Sequence, residues 1–216
     1  MSVKNPNNPT QIYGRHKDET IIVLGNSASL NGMDLDEFDC FTTLGVNRIL
    51  RMYEPTYVMV VDHSVIRAEA KRLSKFEGDV LIFPGSMSSA MKSLYKGPWI
   101  STGLMTSNAD PCAKKGPLQI PQRGNSAYEA AQIAMRMGAS RIALAGVDLY
   151  WPPGKDTHFF GSGKKEGCSL CMEENLISDF ANLKKSYGYM GIEIVSISPW
   201  KTPFRDRIGY IPIEEL

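Results

Sequence analysis

The stretch T-I-I-V-L-G-N-S-A-S-L, Thr20 to Leu30, decides how the rest of the chain is read. Five strand-forming residues, 20–24, run into Gly25, and small polar residues follow at once. A short continuous apolar run is the pattern of a parallel strand buried on both faces. A Gly-led turn after it exposes backbone N–H groups at the strand's carboxyl end. In open α/β sheets ligands bind at that edge, and N–H groups there favour phosphate. The stretch is neither G-x-G-x-x-G nor G-x-x-x-x-G-K-[ST], so a nucleotide site of another kind is expected. The competing reading is a plain strand and turn, since Gly is the default residue of any tight turn.

Five more runs read as strands, at 41–46, 57–61, 79–83, 141–147 and 192–197, with helical patterns between several of them. Residues 64–76 place Ile66, Ala70 and Leu73 on one face, and residues 173–187 do so with Leu176, Ile177, Phe180 and Leu183. The clearest helix is 126–137. Ser126 and Glu129 form an S-x-x-E capping box, Ala130, Ile133, Ala134 and Met137 mark a buried stripe, and Gly138 is a left-handed C-terminal cap. Strands alternating with helices predict an α/β fold: a single Rossmann-like domain whose mainly parallel sheet of about six strands is covered on both faces. The domain is expected over 20–200, with an N-terminal tail 1–19 and a C-terminal tail 201–216. Residues 87–122, rich in Gly, Ser and Pro and without sustained period, read as a lid-like insertion with short helices.

A chain of 216 residues is long enough for one sizeable core. With 24 basic and 23 acidic residues, no global field draws it to nucleic acid or an anionic membrane. No apolar run approaches the ~20 residues of a membrane span, and the polar start does not read as a secretory signal, so a cytoplasmic location is expected. Of four cysteines, Cys40 reads as a reduced core residue and Cys112 as a loop residue. Cys168 and Cys171 form a single C-x-x-C, too little for a zinc site and outside a thioredoxin-like setting. They read as structurally unremarkable thiols, and no metal ligands are assigned.

Several polar groups fall just past strand ends: Gly25, Asn26, Ser27 and Ser29; Asn47 and Arg48; Asp62 and His63; Asp148 and Tyr150, with His158 in the following loop. Carboxyl ends of parallel strands converge on one edge, so this set is an active-site candidate. Gly124, Asn125 and Ser126 open the strongest helix, whose N-terminus favours an anion. Individually each has a structural reading: Asn47 ends a strand, Ser126 caps a helix, Asp148 caps a turn and Asp62 pairs with an arginine. Their shared edge is what makes them a site.

The succession G-N-S-A-S-L, G-V-N-R, Y-V-M-V-V-D, R-G-N-S-A-Y-E-A-A-Q-I-A, I-A-L-A-G-V-D-L-Y and H-F-F-G, spread over about residues 20–200, resembles the bacterial sialyltransferase superfamily. It is equally similar to the MptE-like 6-hydroxymethylpterin pyrophosphokinase relatives. The resemblance implies a nucleotide pocket built by Gly25, Asn26, Ser27, Asn47, Gly124, Asn125, Ser126 and Asp148. It also exposes a departure. The sialyltransferases carry a tyrosine after the first His of H-F-F-G-S and a second His, their general base, at its end. Here those positions are Phe159 and Ser162, neither of which titrates near neutral pH.

The expected function is a glycosyltransferase-like transferase that binds a nucleotide or nucleotide-sugar donor through Gly25–Ser29, Asn47, Asp62 and Gly124–Ser126. His158 is the candidate base, with Asp148 beside it as a catalytic candidate. Lys155, Lys164 and Lys165 are candidates to neutralise a leaving phosphate. Two alternatives stay open: a pyrophosphokinase using Mg²⁺ on Asp62 and Asp148, and a nucleotide-binding module without catalysis. The acceptor is unassigned. A nucleic acid stays open through Trp99, Trp151, Phe159 and Phe160, as does a homo-oligomer.

Overall fold

The computed structural model describes residues 12–105, 119–121, 123–150, 156–161 and 170–216. Eight parallel strands form one sheet: β1 Thr20–Leu24, β2 Thr42–Val46, β3 Tyr57–Met59, β4 Val80–Pro84, β5 Trp99–Met105, β6 Gln119–Pro121, β7 Arg141–Ala145 and β8 Glu193–Ser196. Their order is β6-β5-β4-β3-β2-β1-β7-β8. The chain winds outward from β1 to β6, crosses back, and continues on the far side through β7 and β8. The winding therefore reverses between β1 and β7, and ligands of such sheets bind outside the strand ends at that reversal.

Strand residues alternate between two cores. Ile21, Val23, Leu44, Val46, Ile142 and Leu144 pack on one face with helices α3 Ser126–Met137, α4 Leu170–Gly188 and α5 Pro203–Ile208. Ile22, Leu24, Val58, Leu81, Ala143 and Val195 face the other side, under α1 His63–Leu73 and the 3-10 turns Ala28–Gly32 and Asp36–Cys40. Burial on both faces is why these strands read as continuous apolar runs.

The six expected strands are present, and two more lie inside the stretch read as an insertion. β5 (W-I-S-T-G-L-M) and β6 (Q-I-P) extend the sheet, and α2 Ser88–Leu94 precedes them. Polar and Gly residues interrupt β5, and Pro121 suits β6 only because that strand is at the edge. Gln132 Nε2 and Arg136 Nη2 of α3 donate to the carbonyls of Pro121 (3.1 Å) and Gln119 (2.9 Å), fixing the edge strand to the helix. The rest of that stretch, 106–118 and 122, lies outside the described residues. So do Cys112, Trp151, Lys155, Ser162, Lys164, Lys165 and Cys168.

Residues 12–18 and 202–208 pack against the rest of the domain. Ile12 is buried, and Gly14, His16 and Asp18 donate backbone N–H groups to the carbonyls of Arg136, Met137 and Gly138 at the end of α3. Gly138 is the left-handed cap expected there, with φ of 98°. At the other end, Thr202 caps α5 by accepting from the Arg205 N–H, and Phe204 and Ile208 are buried against α4 and β8. Cys40 departs from its expected core position. It ends a 3-10 turn, exposed, with its Sγ donating to the Glu37 carbonyl. Among the described residues no helix is long and apolar enough to cross a membrane.

Candidate functional site

At the reversal, β1 and β7 come so close that only glycine fits. A Cβ on Gly25 would lie 2.1 Å from the Gly146 carbonyl oxygen. Gly146 has φ of 62°, and a side chain there would strike Leu30. Gly25 N–H donates to Ala145 O and Ser27 N–H to Gly146 O, so the turn after β1 is stitched to the end of β7. Gly25 thus serves close backbone approach, and the residues after it project past the sheet edge.

Directly after β2 comes Asn47, held in the left-handed region at φ of 53°, where Asn is among the non-glycine residues most readily tolerated. Its amide spans two elements. Nδ2 donates to Ser126 Oγ at 2.8 Å, and Oδ1 accepts from the Val61 N–H at 3.3 Å. Ser126 is free to do this because it is not the helix cap. Asn125 is, its Oδ1 accepting from the Tyr128 N–H at 3.0 Å. The cap expected at Ser126 therefore lies one residue earlier and the reciprocal capping box does not form, so the serine hydroxyl belongs to the site.

These elements enclose a cavity of about 160 Å³. Gly25, Asn26 and Ser27 line it from β1, Val46 and Asn47 from β2, Gly146, Val147 and Leu149 from β7, and Gly124 to Ala127 from the start of α3. Thr157 and His158 close the remaining side. The positive end of the α3 dipole points into this space. Asn26 Oδ1 is buried there with no hydrogen-bond partner among the described residues, an acceptor available to a ligand donor.

His158 reaches the cavity on a short turn bridged to the β1 loop. Ser27 and His158 form an antiparallel bridge, and the Phe159 N–H donates to Asn26 O at 3.1 Å. His158 Nδ1 shares a 2.8 Å hydrogen bond with Thr157 Oγ1, and its ring stacks on Phe160 at 4.8 Å. Arg48 and Arg51 lie over the Phe160 ring at 5.2 and 5.3 Å, and both pair with the buried Glu69 carboxylate. The arginine after β2 thus supports the histidine turn from behind.

The remaining candidates are placed elsewhere. Asp148 does not line the cavity. It is buried behind the wall, accepting from Ser29 Oγ at 2.7 Å and from the Ser29 N–H at 3.4 Å, while its own N–H donates to Ser27 Oγ at 3.2 Å. Burial pushes its carboxyl up, against the lowering effect of the Ser29 hydrogen bonds. Ser29 is spent on the same contact. Asp62 caps α1 by accepting from the Ser64 N–H at 2.7 Å, with no arginine partner among its described contacts. The two aspartates thus have separate partners, and among the described residues no group of three or more His, Cys, Asp and Glu is placed to hold a metal ion.

A second cavity, about 400 Å³, lies on the β3 side of the Asn47–Ser126 hydrogen bond. It shares Asn47, Gly124, Asn125 and Ser126 with the first, and adds Val61, Asp62, His63 and Glu129. Glu129 did not stand out in the sequence because a helical Glu three residues after a serine reads as part of a cap. The side chain does reach back, but to the Arg123 N–H, and Oε2 has no hydrogen-bond partner among the described residues. At 1% exposure, burial pushes this carboxyl up to about 7.

Fold and site together define a doubly wound parallel α/β domain with a polar cavity at its reversal point. Among solved structures, that fold is shared with glycosyltransferases. The sialyltransferase CstII from Campylobacter jejuni, in complex with cytidine-5'-monophosphate, aligns with a TM-score of 0.58 at 13% identity, over 91% of this chain and 86% of that one. CstII in complex with a trisaccharide acceptor and CMP gives 0.53 at 12% identity, over 90% and 86%. The MAf glycosyltransferase from Magnetospirillum magneticum AMB-1 gives 0.61 at 13% identity, over 96% of this chain but 38% of that one. No family model and no curated protein matches the chain. The expected sialyltransferase-like fold is therefore shown, while the MptE-like side rests on the sequence resemblance alone.

Proposed function

We propose that this protein is a glycosyltransferase-like enzyme that binds a nucleotide or nucleotide-sugar donor in the cavity at the β1–β7 reversal. The observation that carries the reading is the convergence there of the Gly25–Ser27 turn, Asn47 and the N-terminus of α3. Asn26, with its unpartnered Oδ1, and Asn47 offer hydrogen bonds to a nucleoside, and the helix N-terminus offers its dipole to a phosphate or carboxylate. The CstII complexes, of the same fold, hold CMP, which makes a cytidine nucleotide the first probe.

His158 lies on the donor side, bridged to the turn that would grip the nucleotide. An imidazole there can hold or supply a proton at the leaving phosphate or take one from an acceptor hydroxyl. The diphosphotransfer alternative is not favoured, because Asp62 and Asp148 have different partners.

The test is ligand-induced thermal stabilisation against CMP, CDP, UDP, GDP, ADP and ATP, with and without Mg²⁺. A bound nucleotide at 100 times its dissociation constant adds about 2.7 kcal/mol. Stabilisation by one nucleotide class, followed by cleavage of the matching nucleotide sugar, supports the transferase. Stabilisation without any turnover supports a binding module. No stabilisation by any nucleotide overturns the reading.

A further inference from the structure

The second cavity holds a group that the donor site does not use. Glu129 sits in the first turns of α3, under the loop 123–125, with one carboxyl oxygen occupied by the Arg123 N–H and Oε2 without a hydrogen-bond partner among the described residues. A buried carboxyl oxygen left without a partner is uncommon in a settled core, because each such atom keeps its full desolvation cost. The cavity it lines is open enough for a sugar-sized ligand and adjoins the donor cavity through a shared wall, Asn47 and Ser126. Glu129 is buried enough to be protonatable near neutral pH, the range in which a proton acceptor works best.

We infer that the second cavity is the acceptor subsite, and that Glu129 Oε2 takes the proton of a neutral polyhydroxyl acceptor, the base role then passing from His158 to Glu129. The inference rests on the transferase reading above. In the step, the acceptor O–H proton moves to Glu129 Oε2, and the acceptor oxygen forms a bond to the anomeric carbon of the donor sugar. The bond from that carbon to the phosphate oxygen breaks, and its electron pair leaves with the nucleotide. His158 stands beside the leaving phosphate.

The lining selects the acceptor class. Besides Glu129 it carries Asp62 and His63, and Arg123, next to Gly124 of its wall, is exposed and paired with Asp179 of α4 at 3.7 Å. Two carboxyl groups in one cavity disfavour an anionic acceptor and suit hydroxyl donors.

The test compares wild type with Glu129→Gln, which keeps the shape and the acceptor for the Arg123 N–H. The probe is the nucleotide sugar of whichever nucleotide stabilises the protein, with water and glycerol as hydroxyl acceptors and azide as one that carries no proton. The expected result is a loss of about 100-fold or more in transfer to hydroxyls, unchanged nucleotide stabilisation, and azide transfer no lower than in wild type, since the variant removes a carboxylate that repels the anion. The rate with hydroxyls should also rise through pH 7 in wild type and lose that step in the variant. Full hydroxyl transfer by Glu129→Gln overturns the inference while the transferase reading stands. An equal loss with azide also overturns it. If wild type cleaves no nucleotide sugar, the transferase reading falls and this inference falls with it.

Discussion

Asn47 Nδ2 donates to Ser126 Oγ at 2.8 Å, joining the end of β2 to the first residue of α3 across 79 positions of sequence. This one contact forms part of the wall of both cavities. It also explains why an asparagine is held at positive φ: the left-handed turn aims the amide between Val61 and Ser126.

Asn47→Ala and Asn47→Gly separate the backbone from the amide. Alanine at φ of 53° adds a strain of about 1–2 kcal/mol that glycine does not. Both lose the two hydrogen bonds. Chemical denaturation should therefore rank wild type above the glycine variant and the glycine variant above alanine. Both variants should lose nucleotide stabilisation. A glycine variant that still responds to the nucleotide would remove Asn47 from the donor site.

Glu129→Gln should stabilise the folded protein in alkali and not in acid. The carboxyl is raised from 4.5 to about 7 in the fold, so below pH 4.5 it is protonated in both states and costs nothing. As pH rises from 4.5 to 7 the unfolded chain ionises first, and stability falls by about 3 kcal/mol, levelling above pH 7. Urea unfolding at pH 4 and pH 8 measures the difference. Equal stabilities of variant and wild type at pH 8 would show that the carboxyl ionises freely in the fold.

Asp148 should prove a stability residue first. Asp148→Ala leaves the buried Ser29 hydroxyl and N–H without their acceptor, at about 1–3 kcal/mol for each unsatisfied group. Asp148→Asn keeps an acceptor and should stay near wild type in both unfolding and nucleotide stabilisation. Abolished turnover in a fully stable Asp148→Asn would instead place the carboxylate in the chemistry.

Two glycines at the site should respond unequally to alanine. Gly25→Ala puts a methyl group on the Gly146 carbonyl, which neither strand can vacate, and should cost about 3 kcal/mol or more. Gly124 has φ of 71° but open space around it, so Gly124→Ala should cost only the left-handed strain of about 1–2 kcal/mol. Equal midpoints in a thermal melt would contradict this ordering.

How much was legible in the sequence follows from burial. Strands covered on both faces, such as Thr20–Leu24 and Arg141–Ala145, announce themselves as apolar runs. β5 and β6, with Ser, Thr, Gly and an edge proline, resemble loop until their partners are known. At the site, the residues just past strand ends were legible as a set, but which of them face the cavity was not. Asp148 and Leu149 are neighbours, yet only Leu149 lines it. Asn125 and Ser126 are both good caps, and the choice between them is made by Asn47, far away in sequence. Glu129 was hidden because the pattern that predicts a capping glutamate also describes a buried one.

The strap of residues 12–18 over the end of α3 constrains the order in which the molecule can be completed. Ser140 Oγ donates to the Asp18 carbonyl, its partner 122 positions earlier, and β1 pairs with β7 as well as β2. On the ribosome, where domains form as units behind a chain emerging at ~5–20 residues per second, the first strand stands with one flank bare until β7 arrives. Six strands of sheet must therefore wait for their centre to be closed. The first cavity, whose walls come from β1, β2, β7 and α3, is complete only in that late step, so it belongs to the finished chain and not to the nascent one.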